Sequence, residues 1–377
     1  MKVGIVRGPF LNKWEMQTYE FLPKYGVDIV GIAPKKHFYD ISSIKFPIIE
    51  THQLGYYNRI PFLKLFIQQQ FGIDYYLLNF KKIVKEIDLL HTAETFHIFS
   101  HQAIKTNKPT IITVWENIPF NWYKKPYMRI IKSTINRANH FIAITERAKN
   151  ALELEGIDSS RISVIPVGVD INRFRPEDKD PFLLNKLKIP ESSKVILFVG
   201  RLVWEKGIFN LIYAFKSILK RHKNLILLIV GNGPEKSRIN NLVLKLGIEK
   251  QVRFVRKVDY NQIQGIFNLA DLLCVPSIPT VHWKEQFGMV FLEAMSCGKP
   301  VISTFSGSIP EVVDHNQTGV LVPPMDNIGL EKALEKILED NSTKFQQNAR
   351  KLVEKKFNSY KIAKDIANLY KKVINRF

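Results

Sequence analysis

Two stretches of the sequence hold residues whose types and spacing could do chemistry. In the first, Val199-Gly200-Arg201-Leu202-Val203-Trp204-Glu205-Lys206-Gly207, an apolar run ends at a glycine and a helix-forming run begins after Gly207. Arg201 follows the expected strand directly, and Lys206 stands at the start of the expected helix. A helix N-terminus offers unpaired N–H groups and a partial positive charge. A guanidinium and an ammonium beside it make a site suited to a diphosphate. On this segment alone, two solvated loop cations remain the alternative. The second stretch runs from Glu285 to Val301 (EQFGMVFLEAMSCGKPV). Phe287 to Cys297 has the apolar spacing of a buried helix, Gly298 reads as its C-cap, and Pro300-Val301-Ile302 opens a strand. Glu293 falls inside that apolar helix, where a carboxylate is costly unless something binds it. Glu285 precedes it by eight residues, a rise of at most roughly 12 Å if helical. The two acids could therefore meet two polar parts of one ligand. The alternative is that Glu293 caps a neighbouring backbone group while Glu285 is solvated.

The elements that must position these residues can be read from the apolar runs. In the first half, strands are expected at Lys2–Val6, Val27–Ala33, Leu89–His91, Thr110–Val114 and His140–Ile144. Helices are expected at Trp14–Lys24, Leu63–Phe71, Tyr75–Glu86 and Lys125–Arg137. Such alternation argues for a parallel sheet covered on both faces. The turn-rich stretch from Ile165 to Pro190, with the charged run Glu177–Asp180, interrupts it. A second series then begins at Val195–Val199 and continues through a helix at Gly207–Arg221. It goes on through Leu225–Val230, the Gly231-Asn232-Gly233-Pro234 turn, a helix to Leu246, and strands at Val252–Val255, Leu272–Val275, Pro300–Thr304 and Gly319–Val322. In a doubly wound domain of this kind the ligand sits outside the carboxyl ends of the strands. Helices at Ile328–Asp340, Thr343–Phe357 and Tyr360–Phe377 close the chain. The expected division is a Rossmann-like domain over 1–170, a linker over 171–190, a second Rossmann-like domain over 191–357, and a helix over 358–377 packing on the first.

Bulk composition narrows the function classes. The 377 residues, 45% hydrophobic and 24% charged, describe a globular chain long enough for two cores. No apolar run is long enough to span a membrane. The opening MKVGIVRGPF enters a strand without a signal-peptide pattern, so a cytoplasmic protein is expected. Cys274 and Cys297 lack metal-ligand spacing and read as reduced core thiols. The net charge of +20, spread over both halves, calls for an anionic partner: nucleic acid, lipid headgroups or phosphorylated substrates. No zinc-finger spacing and no RNP1-like or KH-type signature occurs, so no nucleic acid is expected.

Taken together, GRLVWEKG, GNGP, VPS and EQFGMVFLEAMSCGKPVIST resemble the donor-binding domain of the retaining glycosyltransferases of family 4, which have the GT-B fold. The family's glutamate, seven residues, glutamate pattern is matched by Glu285 and Glu293. The resemblance covers essentially the whole chain and is strongest from Val164 to Pro323. It implies an α/β architecture of two doubly wound Rossmann-like domains facing a central cleft, with C-terminal helices crossing back to the first. It implies transfer of a hexose from a UDP- or GDP-sugar to a glycan or lipid-linked acceptor, with retention of configuration and without metal or further cofactor. A soluble acceptor, as in sucrose or glycogen synthesis, and a catalytically silent sugar-nucleotide or nucleic-acid binder are the rival readings. By the resemblance, Arg201 and Lys206 after Gly200 hold the donor pyrophosphate and stabilise the leaving diphosphate. Glu293 binds the ribose, and Glu285 contacts the transferred sugar near its reacting carbon. Phe287, Gly288, Met289 and Val290 supply the backbone against the sugar and phosphates. The Ser306–Glu311 loop is structural, and Asp178-Lys179-Asp180 is a solvated charge run and not a metal site.

The first half departs further from the family. Asn12-Lys13-Trp14-Glu15 stands where a glycine pair is frequent, Ala93 takes the second position of a His-x-His begun by His91, and Trp115-Glu116-Asn117 replaces a His-Asp. The acceptor candidates are accordingly His91, Glu94, Glu116 and Asn117, at strand ends. Two aromatic and basic stretches, Asn117–Arg137 and Tyr56–Phe80, have the mixture that suits an anionic membrane surface. They lead to the expectation of peripheral contact with the inner face of the cell membrane, next to a lipid-linked acceptor.

Overall fold

The computed structural model describes residues 1–54, 75–124, 126–256, 258–340 and 343–377. They divide into two compact units, one formed by Met1–Gly168 with Ser359–Phe377, the other by Val169–Asn358. Each is built on a parallel sheet.

In the first unit the strands are β1 (Lys2–Val6), β2 (Asp28–Pro34), β3 (Ile48–Thr51), a small antiparallel pair of β4 (Gln53–Leu54) and β5 (Tyr76–Leu77), then β6 (Leu89–Ala93), β7 (Thr110–Val114), β8 (His140–Ala143) and β9 (Ile162–Val164). The main sheet runs β3-β2-β1-β6-β7-β8-β9 and is parallel throughout. Its direction of winding reverses between β1 and β6. The C-terminal helix Ser359–Ile374 belongs to this unit: Ile362, Ala363, Ile366, Ala367, Tyr370 and Val373 recur at helical spacing and pack with Val3, Ile5, Leu11 and Met16. Its entry is tight. A Cβ at Gly168 would come within 2.7 Å of the Ser359 backbone, and Thr18 Oγ1 lies 3.2 Å from Ser359 Oγ.

The second unit carries β10 (Lys194–Val199), β11 (Leu225–Val230), β12 (Val252–Val255), β13 (Leu272–Cys274), β14 (Val301–Thr304) and β15 (Gly319–Val322), in the order β12-β11-β10-β13-β14-β15. The Leu-Ile-Leu-Leu-Ile-Val run of β11 is buried along its whole length, as a strand covered on both faces must be. Winding reverses here between β10 and β13, so the loops after those two strands flank the switch point. Cys274 and Cys297 are buried free thiols.

Several expectations need correction. Tyr75–Glu86 is not one helix: Tyr76–Leu77 pairs as a strand, and only Phe80–Ile83 is helical, after Asn79 adopts a left-handed backbone. Leu63–Phe71 lies outside the described residues. Residues 171–190 fold into the second unit and are not a free linker. Phe174 is fully buried against Phe267, Arg350 donates to the carbonyls of Ile171 and Phe174, and Asp180 caps a helix over Pro181–Lys186. The helices Ile98–Ile104 and Glu146–Leu154 and the strands β3 and β9 were not expected. Each is short, and polar residues break its apolar pattern.

Candidate functional site

The switch point of the second sheet gathers four loops. After β10 the chain turns through Gly200-Arg201-Leu202, which lies against the Gly231–Pro234 turn that follows β11: Leu202 N–H donates to Asn232 O at 2.9 Å. A Cβ at Gly231 would meet Gly200 O at 1.9 Å, so only glycine permits this approach. The chain then forms a single 3-10 turn, Trp204–Lys206, before the helix Ile208–Ile218. Between them Gly207 has φ of 69° and leaves no room for a side chain, since a Cβ would lie 1.9 Å from Pro276 O. Ile278 N–H donates to Glu205 O at 2.7 Å and ties the loop after β13 to the same turn.

These contacts bring two of the expected residues together. Lys206 Nζ donates to Glu285 Oε2 at 2.7 Å. Ser277 Oγ donates to the same oxygen at 2.9 Å, and the Lys206 ammonium lies 5.0 Å from the Trp283 ring centre. Glu285 is buried, not solvated. Its backbone is clamped by the Ser306–Ser308 loop after β14: Ser308 N–H donates to Glu285 O at 2.9 Å, and a Cβ at Gly307 would lie 2.1 Å from it. Arg201 stands apart. It is exposed, and its guanidinium makes no hydrogen bond or ion pair with any described residue; only its backbone carbonyl is engaged, by Val203 N–H at 2.9 Å.

The second acid sits on the helix Met289–Ser296, shorter than the Phe287–Cys297 expected because Gly288 enters it at φ of 89°. Phe287 turns into the core against Phe357, while Gly288, Met289 and Val290 are half-buried at the helix N-terminus. Glu293 is buried and does not cap a backbone group. Tyr260 Oη donates to its Oε1 at 2.5 Å, and Oε2 has no hydrogen-bond partner among the described residues. Burial pushes the carboxyl up to about 7, against the opposing pull of the Tyr260 hydrogen bond and the Arg173 charge. Ser277, Tyr260 and Arg173 carried no assigned role in the sequence reading. Ser277 lies within the VPS motif, whereas Tyr260 is 33 positions from its partner and gives no local signal.

Asp178-Lys179-Asp180 is held by structural contacts: Lys179 pairs with Asp271 at 2.7 Å and Asp180 is a helix cap. Among the described residues no cluster of three or more His, Cys, Asp or Glu side chains could hold a metal ion.

Residues 179–353 match the family described as glycosyl transferases group 1, and residues 22–173 match glycosyltransferase family 4. The chain belongs to the group 1, family 4 glycosyltransferases. It is 35% identical over 218 residues to a D-inositol 3-phosphate glycosyltransferase of Corynebacterium jeikeium, covering 55% of this chain and 51% of that one. The chain spans about half the length of the curated relatives it matches. Sucrose-phosphate synthase of Thermosynechococcus elongatus superposes over 100% of both chains with a TM-score of 0.80 at 23% identity. The Anabaena HepE complex with UDP-glucose does so over 99% of this chain and 100% of its own, with a TM-score of 0.79 at 20% identity. These likenesses establish a GT-B fold.

Within the first unit the four acceptor candidates fare differently. His91 is fully buried, with Nδ1 2.5 Å from Tyr370 Oη and Nε2 2.6 Å from Thr113 Oγ1. Burial, then the Arg7 charge, holds it well below the usual histidine range, so it is a neutral strut between sheet and C-terminal helix. Glu116 spends both oxygens on its own loop: Oε1 accepts from Asn117 and Ile118 N–H, and Oε2 from Asn121 and Trp122. Asn117 is buried within that loop. Glu94 is different. It has φ of 61°, its Oε1 accepts from Trp115 N–H at 2.8 Å, and its buried Oε2 has no hydrogen-bond partner among the described residues. Burial, with the Glu116 charge adding to it, raises this carboxyl to about 8. A strained backbone carrying an unsatisfied acid is a costly arrangement that packing alone does not call for.

Proposed function

We propose that this protein transfers a hexose from a UDP- or GDP-sugar to a glycan or lipid-linked acceptor, retaining anomeric configuration and without metal. What carries the reading is the Lys206–Glu285 pair at 2.7 Å, set at the switch point, with Glu293 on the helix that follows. Arg201 and Lys206 meet the diphosphate, Glu293 accepts from the ribose hydroxyls, and Glu285 faces the sugar. The bond from the anomeric carbon to the diphosphate breaks, and the acceptor hydroxyl oxygen bonds to that carbon on the same face. Its proton passes to the departing phosphate oxygen. Charge building on the leaving group is stabilised by the two cations and the N-terminus of the Met289–Ser296 helix, an electrostatic contribution of the kind that dominates such reactions. The likeness to HepE, a protein solved with UDP-glucose, supports a nucleotide-sugar donor. Glu94, with its open oxygen, is the candidate of the four best placed to meet an acceptor hydroxyl. A thermal-shift series with UDP, GDP and ADP tests the donor. UDP or GDP is expected to raise the melting temperature, by about 2.7 kcal/mol of stabilisation at a hundredfold excess over Kd. No shift with any of them would sink the donor-site reading.

The acceptor side favours a membrane surface. The helix Tyr127–Arg137 buries Ile130, Ile131, Thr134 and Ile135 and exposes Arg129, Lys132 and Arg137. Lys124, just before the helix, is exposed as well. Most of Tyr56–Phe80 lies outside the described residues, and no described helix is long and apolar enough to cross a membrane. The exposed cations of this helix support the reading that the protein works peripherally, on the inner face of the cell membrane. Cosedimentation with anionic vesicles at low salt is the check, and protein left in the supernatant would refute it.

A further inference from the structure

Glu293 is held by a device that the family resemblance does not include. Its Oε1 is engaged by the Tyr260 hydroxyl at 2.5 Å, and Tyr260 is itself clamped. The Arg173 guanidinium lies 4.3 Å from the Tyr260 ring centre and 4.8 Å from that of Phe174, and it donates to the Tyr260 carbonyl. Phe174 is fully buried, with its ring centre 6.0 Å from that of Tyr260. Arg350 bonds the carbonyls of Phe174 and Ser296, and so ties this segment to the end of the very helix that carries Glu293. The ring, the cation and the acid form one fixed stack. A buried carboxylate with one oxygen taken can rotate little. The other oxygen then points one way, and Oε2 has no hydrogen-bond partner among the described residues.

We propose that Tyr260, locked by Arg173, is a positioning residue that presents Glu293 Oε2 to the ribose of the donor and so sets the enzyme's preference for a ribonucleotide. The inference rests on the donor-site reading above. A phenol fits this role because it donates one hydrogen bond to the carboxylate without neutralising it. A lysine there would compete with the ribose for the charge. The pairing also explains why a buried acid is tolerated in so apolar a helix without a salt bridge of its own.

The experiment compares binding of UDP and GDP with their 2′-deoxy and 3′-deoxy forms, to the wild type, to Tyr260→Phe and to Arg173→Leu. Wild type is expected to favour at least one ribonucleotide over a deoxy form by more than about tenfold, the scale of a hydrogen bond to a charged group. Tyr260→Phe keeps the ring under Arg173. It is expected to weaken the ribonucleotide by about tenfold while leaving the deoxy form nearly unchanged, so that the preference collapses. Arg173→Leu leaves the hydroxyl in place and is expected to cause a smaller loss of the same selective kind. Equal losses for ribo and deoxy forms would mean that Tyr260 is merely structural, and undiminished preference in both variants would overturn the inference outright. A wild type that binds the ribonucleotide without any preference would also overturn it. If wild type binds neither UDP nor GDP, the donor-site reading itself has failed, an outcome distinct from the others.

Discussion

Lys206→Ala is expected to lower donor turnover by at least about tenfold, and up to the roughly 10²–10³ seen when one donor to a developing anion is removed. The argument turns on what the ammonium leaves behind. Lys206 Nζ and Ser277 Oγ both bond Glu285 Oε2, and the Glu285 side chain is only 9% exposed. Without the lysine, a buried carboxylate loses its ion pair with the ammonium and faces an incoming diphosphate of the same sign. The variant therefore loses a cation that stabilises the leaving group and gains a repulsion against it. The loss should appear in kcat more than in KM, because the leaving group carries more charge in the transition state than in the bound donor. On the proposed reading, Arg201 remains to bind the ground state. Single-turnover hydrolysis of the donor, with release of the nucleoside diphosphate as readout, measures this. Full turnover in the variant would show that Lys206 has no phosphate role.

The candidate donor residues stand out in the sequence because they are packed into two short stretches at strand ends. Arg201, Lys206, Glu285 and Glu293 each stand beside a glycine turn or inside an apolar run, where charge is conspicuous. The long apolar strands β1, β10 and β11 were equally plain, since burial on both faces leaves almost no polar interruption. What stayed hidden depends on contacts between distant segments. Tyr260 becomes the partner of Glu293 only after the loop that follows β12 meets the Met289–Ser296 helix, and Ser277 reaches Glu285, eight residues on, only because their common loop folds back on itself. Residues 171–190 looked like a linker because their burial rests on a few anchors, chiefly Phe174 and Leu184 among charges and prolines. In the first unit the expectation placed His91 and Glu116 at a ligand. Strand-end position suggested it, yet the hydrogen bonds that occupy both residues come from Thr113, Tyr370, Asn121 and Trp122. A strand end tells where a side chain starts and nothing about whether its polar atoms are already spent.

Nucleotide affinity is expected to rise with pH through about 7 and then level off. Burial raises the Glu293 carboxyl to about 7 in the empty protein, with Tyr260 and the Arg173 charge pulling the other way. Cys297, at the end of the same helix, is pushed up to about 12 by burial and does not titrate in this range. The ionised carboxylate accepts from ribose hydroxyls far better than the protonated acid, so binding favours proton release. Below about 7 each unit of pH should cost up to about tenfold in affinity, since one proton must leave. Folding has the opposite sign. An acid whose pKa is raised in the folded state contributes stability that is fully present below its unfolded value. That contribution is lost as pH rises through about 7. The empty protein should therefore lose this contribution over the same window in which the nucleotide gains grip. Glu94, raised to about 8 in the first unit, adds to the loss with the same sign and extends it upward. The terminal phosphate of the nucleotide also titrates, near pH 6. Glu293→Gln separates these contributions. Melting curves with and without the nucleoside diphosphate, from about pH 5.5 to 8.5, should show the nucleotide's stabilisation climbing in wild type. In the variant only the shallower phosphate and Glu94 trends should remain. Identical pH profiles for the two proteins would mean that Glu293 neither changes charge on binding nor touches the ribose. The Tyr260 hydrogen bond would then be a packing contact inside an apolar helix.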